Sequence, residues 1–236
     1  MDNRQWFKKG LKNGLPICMG YFAVSFAFGI QAVEGGLTVF QAGMLSLLNV
    51  TSAGQFAGLS VIIAGGSMIE LAVLQFIINL RYLLMSTALS QKLSPRTGTA
   101  ARLGIAYGVT DEIFGLSVLT EGELSPFYSY GLTAISVLGW TGGTVFGAAA
   151  GAILPESAIS ALGIALYGMF IAIIIPPATK SRPVLIAVLG GMILSTVAAF
   201  TPVIKELSEG MRIIIITVLV ASACAVIWPV KEKEEA

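Results

Sequence analysis

Histidine is absent from this 236-residue sequence, cysteine occurs twice, and charged residues make up only 11%. Without histidine there is no imidazole for a metal site, a Ser-His catalytic pair or a proton relay. Cys18 and Cys224 both lie in apolar stretches, so we interpret them as packing residues and not as a disulfide or metal site. We therefore expect no bound metal and no cofactor.

The scarcity of charge also indicates the class of protein. Soluble domains contain about 25% charged residues, so 11% charged with 56% hydrophobic residues is typical of an integral membrane protein. A net charge of +1 argues against nucleic-acid binding. The sequence lacks the Gly-x-Ser-x-Gly motif of a serine nucleophile and the Gly-x-x-x-x-Gly-Lys-[Ser/Thr] phosphate loop, so we expect neither an enzyme nor a chain that hydrolyses ATP by itself.

Apolar windows of about 20 residues follow one another along nearly the whole chain. They predict an all-α polytopic membrane helix bundle of seven or eight crossings, which forms a single integral membrane domain over residues 1–236. The predicted segments are residues 15–33, 37–64, 67–91, 102–120, 127–154, 157–175, 183–200 and 211–228. Basic residues precede the first segment and predict a cytoplasmic N-terminus, and Pro16 predicts that a helix begins there.

The second segment is longer than a crossing requires. Residues 37–64 would form a helix of about 42 Å, against a hydrocarbon core of about 30 Å. Its centre contains residues that favour caps and turns: Asn49, Thr51, Ser52 and Gly54. We predict two half-helices that meet at a break, the alternative being one long tilted helix with a kink. A half-helix beginning near Thr51 or Ser52 would direct its N-terminal amides at a buried cavity.

The third segment, residues 67–91, carries polar side chains on two faces. Those on one face recur at helical spacing: Gln75, Asn79, Tyr82 and Ser86. Arg81 lies roughly 200° around the helix from Asn79. A charge at bilayer depth costs at least a few kcal/mol, so we expect protein or a cavity on both sides of this central helix.

Two adjacent carboxylates, Asp111 and Glu112, stand at the middle of the fourth segment. Asp111 shares its predicted helix face with Gly104, Gly108 and Gly115, which allows close packing. Asp111 and Arg81 are both central in their segments. We therefore predict a buried ion pair between Arg81 and one of the two carboxylates.

The order of crossings stays open at this point. If the second segment crosses fully, the basic loop around Arg96 lies opposite the N-terminus. If that segment is re-entrant, the loop lies on the N-terminal side, as the positive-inside rule favours, and the C-terminal tail changes sides. Thr51 and Phe56 recur as Thr141 and Phe146 at an offset of 90 residues. This recurrence favours an inverted repeat with halves 14–122 and 126–229.

Several short motifs occur in an order that resembles the azaleucine-resistance, AzlC-type permeases, a family of branched-chain amino acid exporters. The motifs are Leu15-Pro16, Ala27-Phe28-Gly29, Gly54-Gln55-Phe56, Asn79-Leu80-Arg81-Tyr82-Leu83-Leu84, Thr110-Asp111-Glu112-Ile113-Phe114 and Met169-Phe170-Ile171-Ala172. Family members usually have Asn-Leu-Arg-His, so Tyr82 replaces a histidine here. The resemblance implies an exporter of hydrophobic amino acids in the cytoplasmic membrane, with a much smaller AzlD-type membrane protein as partner.

A neutral amino acid needs a site for its carboxylate, a site for its ammonium and an apolar pocket. We expect the carboxylate at the half-helix N-terminus or at Arg81, and the ammonium at Asp111 or Glu112. The second carboxylate would exchange protons, because burial favours the uncharged form of a carboxyl group. The candidate substrate-binding residues are Asn49, Thr51, Ser52, Gln55, Gln75, Asn79, Arg81 and Tyr82.

Together with what the resemblance implies, these residues favour a proton-coupled secondary transporter that exports branched-chain or similar hydrophobic amino acids. The alternative is a channel or a non-transporting scaffold subunit, which needs no polar cavity at the middle of the membrane. For Arg81, Asp111 and Glu112 a purely structural ion-pair network is the competing interpretation.

Overall fold

The computed structural model describes residues 2–151, 157, 171, 174–175, 178–205 and 207–229. The predicted sixth segment, residues 157–175, and the charged tail fall almost entirely outside these ranges. The helices are α1 (Asn3–Glu34), α2 (Val39–Leu48), α3 (Ser52–Ile63), α4 (Met68–Ile78), α5 (Leu80–Lys92), α6 (Thr99–Tyr107), α7 (Asp111–Val118), α8 (Pro126–Gly151), α9 (Arg182–Phe200), α10 (Pro202–Lys205) and α11 (Glu209–Ile227).

The predicted all-α membrane helix bundle is confirmed. Over the described residues, α1, α8 and α9 are each long and apolar enough to cross a membrane, and α4 with α5 makes a fourth span if the two count as one. The chain divides into two compact units. Unit one contains residues 1–56 and 78–163, and unit two contains residues 57–77 and 164–236.

Helices α1 and α8 form the centre of unit one and run parallel to each other. Gly10 lies against Gly131 at one end of the pair, and further along Gly139 lies against Cys18 and Gly147 lies against Phe26. The partners are separated by a constant 121 residues of sequence, which only a parallel pair produces. Because glycine has no Cβ, the two backbones touch directly at these positions.

Helix α1 begins twelve residues before the predicted start at residue 15. Asp2 and Gln5 form a capping box, in which each side chain accepts the other residue's backbone N–H at 2.7 and 2.9 Å. The helix therefore starts in the basic N-terminal stretch, and Pro16 lies inside it and not in its first turn.

The predicted break in the second segment is confirmed. Helix α2 ends at Leu48, α3 begins at Ser52, and the backbone of Asn49 leaves helical geometry at φ −136° and ψ 88°. By contrast, the fifth segment is not interrupted at its glycine-rich centre, because α8 runs unbroken from Pro126 to Gly151. Gly139 and Gly143 in this centre pack against α1 instead.

The third and fourth segments were predicted as single helices, and both predictions are wrong. The third breaks at Asn79, which adopts φ −98° and ψ 6° before α5. The fourth breaks between Tyr107 and Asp111, where Thr110 caps α7 by accepting the backbone N–H of Ile113 at 3.3 Å. Asparagine, glycine and threonine favour such caps over helix interiors.

Unit two contains α4, α9, α10, α11 and most of α3. Helix α9 buries only Ala198 among its described side chains, and its apolar surface fits a lipid-facing span. Glu70, near the start of α4, accepts a hydrogen bond from the Ser208 hydroxyl, which also caps α11.

Candidate functional site

Tyr21, from the middle of α1, connects the polar residues at the start of α7. Its hydroxyl oxygen lies 2.7 Å from Thr110 Oγ1 and 2.5 Å from Glu112 Oε2. A phenol has one proton and can donate it to only one of these two groups. When Glu112 is ionised, the phenol donates to the carboxylate and the Thr110 hydroxyl can donate to the phenol oxygen.

Arg81, in the first turn of α5, pairs with Asp111 in the first turn of α7. The distance between Arg81 Nη1 and Asp111 Oδ2 is 2.9 Å. The Arg81 guanidinium also lies 5.1 Å from the centre of the Tyr82 ring, within the range of a cation–π contact. The prediction that Arg81 pairs with one of the two carboxylates is confirmed, and the partner is Asp111.

This ion pair is less buried than predicted. The side chains of Arg81 and Asp111 are 44% and 52% exposed, so this chain does not enclose them. A pair in this setting remains accessible to a further charged group, which a fully enclosed pair would not be. The substitution cost of about 3–5 kcal/mol expected for breaking a buried pair does not apply here.

Gln55, in the first turns of α3, is fully buried and belongs to a closed set of hydrogen bonds. Trp140 Nε1–H donates to Gln55 Oε1 at 2.8 Å, and Gln55 Nε2 donates to Ser46 Oγ at 2.5 Å. Ser46 and Thr144 share a hydrogen bond of 2.6 Å, and Thr144 donates to the Trp140 carbonyl at 3.1 Å. This network holds α2 and the start of α3 against α8.

The break after α2 and the break after α6 lie close together in unit one. The Tyr107 hydroxyl, at the end of α6, donates to the Leu47 carbonyl, at the end of α2, over 2.5 Å. Val50 packs in an apolar cluster with Tyr21 and Trp140, whose rings meet edge to face with centroids 5.4 Å apart. Tyr21 therefore contacts the chain at both breaks.

The structure brings together some of the predicted site residues and separates others. Arg81, Tyr82, Asp111 and Glu112 are neighbours through the contacts described above, and Val50 brings its chain neighbours Asn49 and Thr51 near Tyr21. Ser52, the first residue of α3, adopts a positive φ of 24°. Asn79 precedes α5 in unit one, whereas Gln75 lies on α4 in unit two, where it contacts Gly58. The break at Asn79 thus divides the predicted polar stripe.

Sequence reasoning missed the residues that link this site to α1 and α8, namely Tyr21, Ser46, Thr110, Trp140 and Thr144. Each is a single polar or aromatic residue within an apolar segment, which is also what ordinary packing produces. Thr110 was detectable, because a threonine directly before two carboxylates is typical of a helix N-cap.

The AzlC protein family matches residues 16–154, which is more than half of the chain and includes every residue of this site. The chain belongs to the AzlC family. This AzlC-family chain is 34% identical over 189 residues to an uncharacterised membrane protein of Archaeoglobus fulgidus, covering 79% of this chain and 82% of that protein.

Two bacterial proteins are also similar to this AzlC-family chain. The inner membrane protein YgaZ of Escherichia coli is 28% identical over 176 residues, covering 72% of each chain. An uncharacterised membrane protein of Helicobacter pylori is 24% identical over 149 residues, covering 61% of this chain and 64% of the relative. No solved structure matches the chain. These relatives agree with the helices in assigning the protein to a membrane.

Proposed function

We propose that this AzlC-family chain is a proton-coupled secondary transporter that exports branched-chain or similar hydrophobic amino acids across the cytoplasmic membrane. One observation carries the proposal. Asp111 and Glu112 are consecutive residues, yet Asp111 faces a cation and Glu112 faces a neutral phenol. The two carboxylates therefore suit two different tasks.

The charges of the site leave one carboxylate without a cation. Arg81 and Asp111 balance each other at 2.9 Å, and the described contacts of Glu112 are uncharged. An amino acid ammonium near Glu112 would supply the missing positive charge, because an opposite charge within about 4–6 Å favours the ionised carboxylate. A proton on Glu112 would replace the ammonium and release it.

Two positive groups are available for the carboxylate of the substrate. Arg81 has five N–H donors and is 44% exposed, so it can bind a second carboxylate while it holds Asp111. The first amides of α3, next to Thr51, are the alternative. Thr51 Oγ1 is buried and has no hydrogen-bond partner among the described residues, and a bound carboxylate would satisfy it.

We propose that a polar cavity near the start of α1 is the entrance to this site. A cavity of about 440 Å³ opens between the first turns of α1 and the end of α7, and its lining includes Lys9, Asn13 and Thr120. Thr120 lies about two helical turns beyond Glu112 along the chain. This cavity gives a zwitterion an approach from the end at which α1 begins.

The test of the proposal compares two transport modes in proteoliposomes. Labelled leucine is released against its own gradient under an imposed pH gradient, and leucine–leucine exchange is measured without one. We expect Glu112→Gln to keep exchange and to lower uphill export about tenfold or more, which corresponds to about 1.4 kcal/mol. We expect Asp111→Asn to weaken both modes, because Arg81 loses the group that orients it.

Glu70→Gln is the matched control, since Glu70 lies in unit two and its carboxylate accepts a hydrogen bond from Ser208. Uphill export by Glu112→Gln at the unmodified rate would remove Glu112 as the coupling group. If both neutral variants export uphill normally, the structural ion-pair interpretation is correct. If the unmodified chain shows no counterflow of leucine, valine or methionine, alone or with a small co-encoded membrane partner, the scaffold alternative replaces the proposal.

A further inference from the structure

We infer that α2–α3 and α6–α7 are two re-entrant hairpins that enter the membrane from opposite sides and meet near its middle. Helices α1 and α8 are parallel, so a residue that contacts either of them can be assigned a position along their common axis. We call the end of this axis near Asn3 the first end and the end near Glu34 the second end.

The first hairpin descends from the second end and turns back. Helix α2 follows α1 through a tight turn, reaches Thr144 with Ser46, and brings Val50 to Tyr21. The chain then reverses, because the Phe56 ring packs on Phe28 with centroids 5.2 Å apart. From Tyr21 to Phe28 is about 10 Å along α1 at about 1.5 Å per residue, so α3 starts back toward the end from which α2 came.

The second hairpin enters and leaves at the first end. Before α6, the Lys92 carbonyl accepts the backbone N–H of Leu124, which follows α7, at 2.8 Å. The two flanking segments of α6–α7 are therefore neighbours. Between these segments, Glu112 contacts Tyr21 near the middle of α1. Further along α7, Leu116 and Thr120 line a cavity together with Trp6, near the first end.

Helices α6 and α7, of nine and eight residues, are each too short to cross a core that needs about 20 residues. The Lys92 ammonium also donates to the Val118 carbonyl at the end of α7. Because Arg81 also pairs with Asp111, α5 and α7 run side by side from the middle of the α1–α8 axis to the first end. A crossing by residues 99–118 would place Lys92 and Leu124 on opposite sides of the membrane, and the structure places them in contact.

The tips of the two hairpins are equivalent in sequence as well as in depth. Val50-Thr51-Ser52 at the first tip matches Val109-Thr110-Asp111 at the second, and in both the third residue begins the returning helix. Tyr107 donates a hydrogen bond to the Leu47 carbonyl across the tips. An offset of 59 residues relates the two tips, whereas the offset of 90 pairs Thr51 with a residue inside the unbroken helix α8.

The charges agree with this arrangement. Of the basic residues in the first 102 positions, it places Arg81 at the hairpin tips and all the others at the first end. These others are Arg4, Lys8, Lys9, Lys12, Lys92, Arg96 and Arg102. The loop at the second end, residues 35–38, contains no Lys or Arg. The positive-inside rule then makes the first end cytoplasmic.

Single cysteines in the four connecting loops test the inference. Cys18 and Cys224 are first replaced by alanine, and Glu34→Cys, Ala64→Cys, Thr97→Cys and Glu123→Cys are introduced one at a time. Intact cells and inverted vesicles are treated with a membrane-impermeant maleimide, and labelling after denaturation shows that each cysteine is reactive. A single symmetric peak in size-exclusion chromatography of each purified variant shows that it is folded.

We expect residues 34 and 64 to label from outside, and residues 97 and 123 to label only in inverted vesicles. Residues 97 and 123 on opposite sides would show that α6–α7 crosses and would overturn the second hairpin. Residues 34 and 64 on opposite sides would overturn the first. This result does not depend on the substrate, so it can fail or succeed independently of the proposed transport activity.

Discussion

Among single residues, Tyr21 connects more of the site than either carboxylate does. It contacts Glu112 and Thr110 through its hydroxyl and Trp140 through its ring, and it shares an apolar cluster with Val50. Its phenol can donate to Glu112 when that carboxylate is ionised and to Thr110 when Glu112 carries a proton. Protonation of Glu112 would thereby change the hydrogen bonding at the start of α7.

Tyr21→Phe should therefore separate coupling from folding. The variant keeps the ring contacts but leaves Glu112 without its phenol donor, and a hydrogen bond to a charged group contributes about 1.5–3 kcal/mol. We expect uphill leucine export to fall at least as far as this range implies, while leucine–leucine exchange falls less. The measurement is the ratio of the two rates in proteoliposomes.

Tyr130→Phe is the control for this substitution. The Tyr130 hydroxyl donates to the Ala101 carbonyl at 3.2 Å and so also anchors a broken segment, but it contacts no carboxylate among the described residues. Its loss should lower stability by about 0.5–1.5 kcal/mol and leave the ratio of export to exchange unchanged. Equal ratios for the two variants would exclude a coupling role for Tyr21.

Among the helices of unit one, the pair α1 and α8 provides the surface on which both hairpins pack. Both hairpins pack on this pair, through Gln55 with Trp140 and through Glu112 with Tyr21. The glycines that allow the close approach lie along one face of α8. Gly143 is in contact with Phe22 and Ser25, whereas its neighbour Gly142 faces open space.

Alanine substitution at these two neighbours should have opposite effects. Gly142→Ala should leave stability unchanged or raise it by up to about 1 kcal/mol, because alanine favours the helix. Gly143→Ala should destabilise by about 1–3 kcal/mol, because the new methyl group meets the backbone of α1. The midpoint of unfolding of the purified protein in mixed detergent micelles measures the difference. Equal midpoints would contradict the close α1–α8 contact.

At the scale of the whole molecule, the distribution of charge determines the orientation in the membrane. The basic residues in the first turns of α1 and those around Arg96 lie at the same end of unit one, since Lys92 contacts Leu124 there and Lys9 lines the cavity at the start of α1. Two groups of positive charge therefore favour the same orientation.

Removing one of these groups should leave the orientation unchanged. We expect the fourfold substitution of Arg4, Lys8, Lys9 and Lys12 by Gln to keep an N-terminal tag on the cytoplasmic side. When Lys92 and Arg96 are also changed to Gln, we expect a mixture of molecules in the two opposite orientations. Protease access to the tag in intact cells and in inverted vesicles measures the orientation. A tag exposed outside in the fourfold variant would show that the loop around Arg96 is not at the cytoplasmic end.

The sequence by itself determined the features that depend on local composition. Hydropathy determined the membrane class, and the cap residues around Thr51 determined the first break, because each residue's preference for a helix interior or a cap acts over a few neighbours. The pairing of Arg81 with a carboxylate also followed from the cost of an isolated charge at bilayer depth.

Only the tertiary structure decided the direction of the chain after each break and the identity of the residues around the site. A break does not state whether the next helix continues or returns, because that choice depends on contacts between residues far apart in sequence, such as Phe56 with Phe28 and Lys92 with Leu124. The same reason applies to Tyr21. In the sequence it is an ordinary aromatic residue of a long apolar helix, and only the fold brings it into contact with Glu112, which lies 91 positions away along the chain.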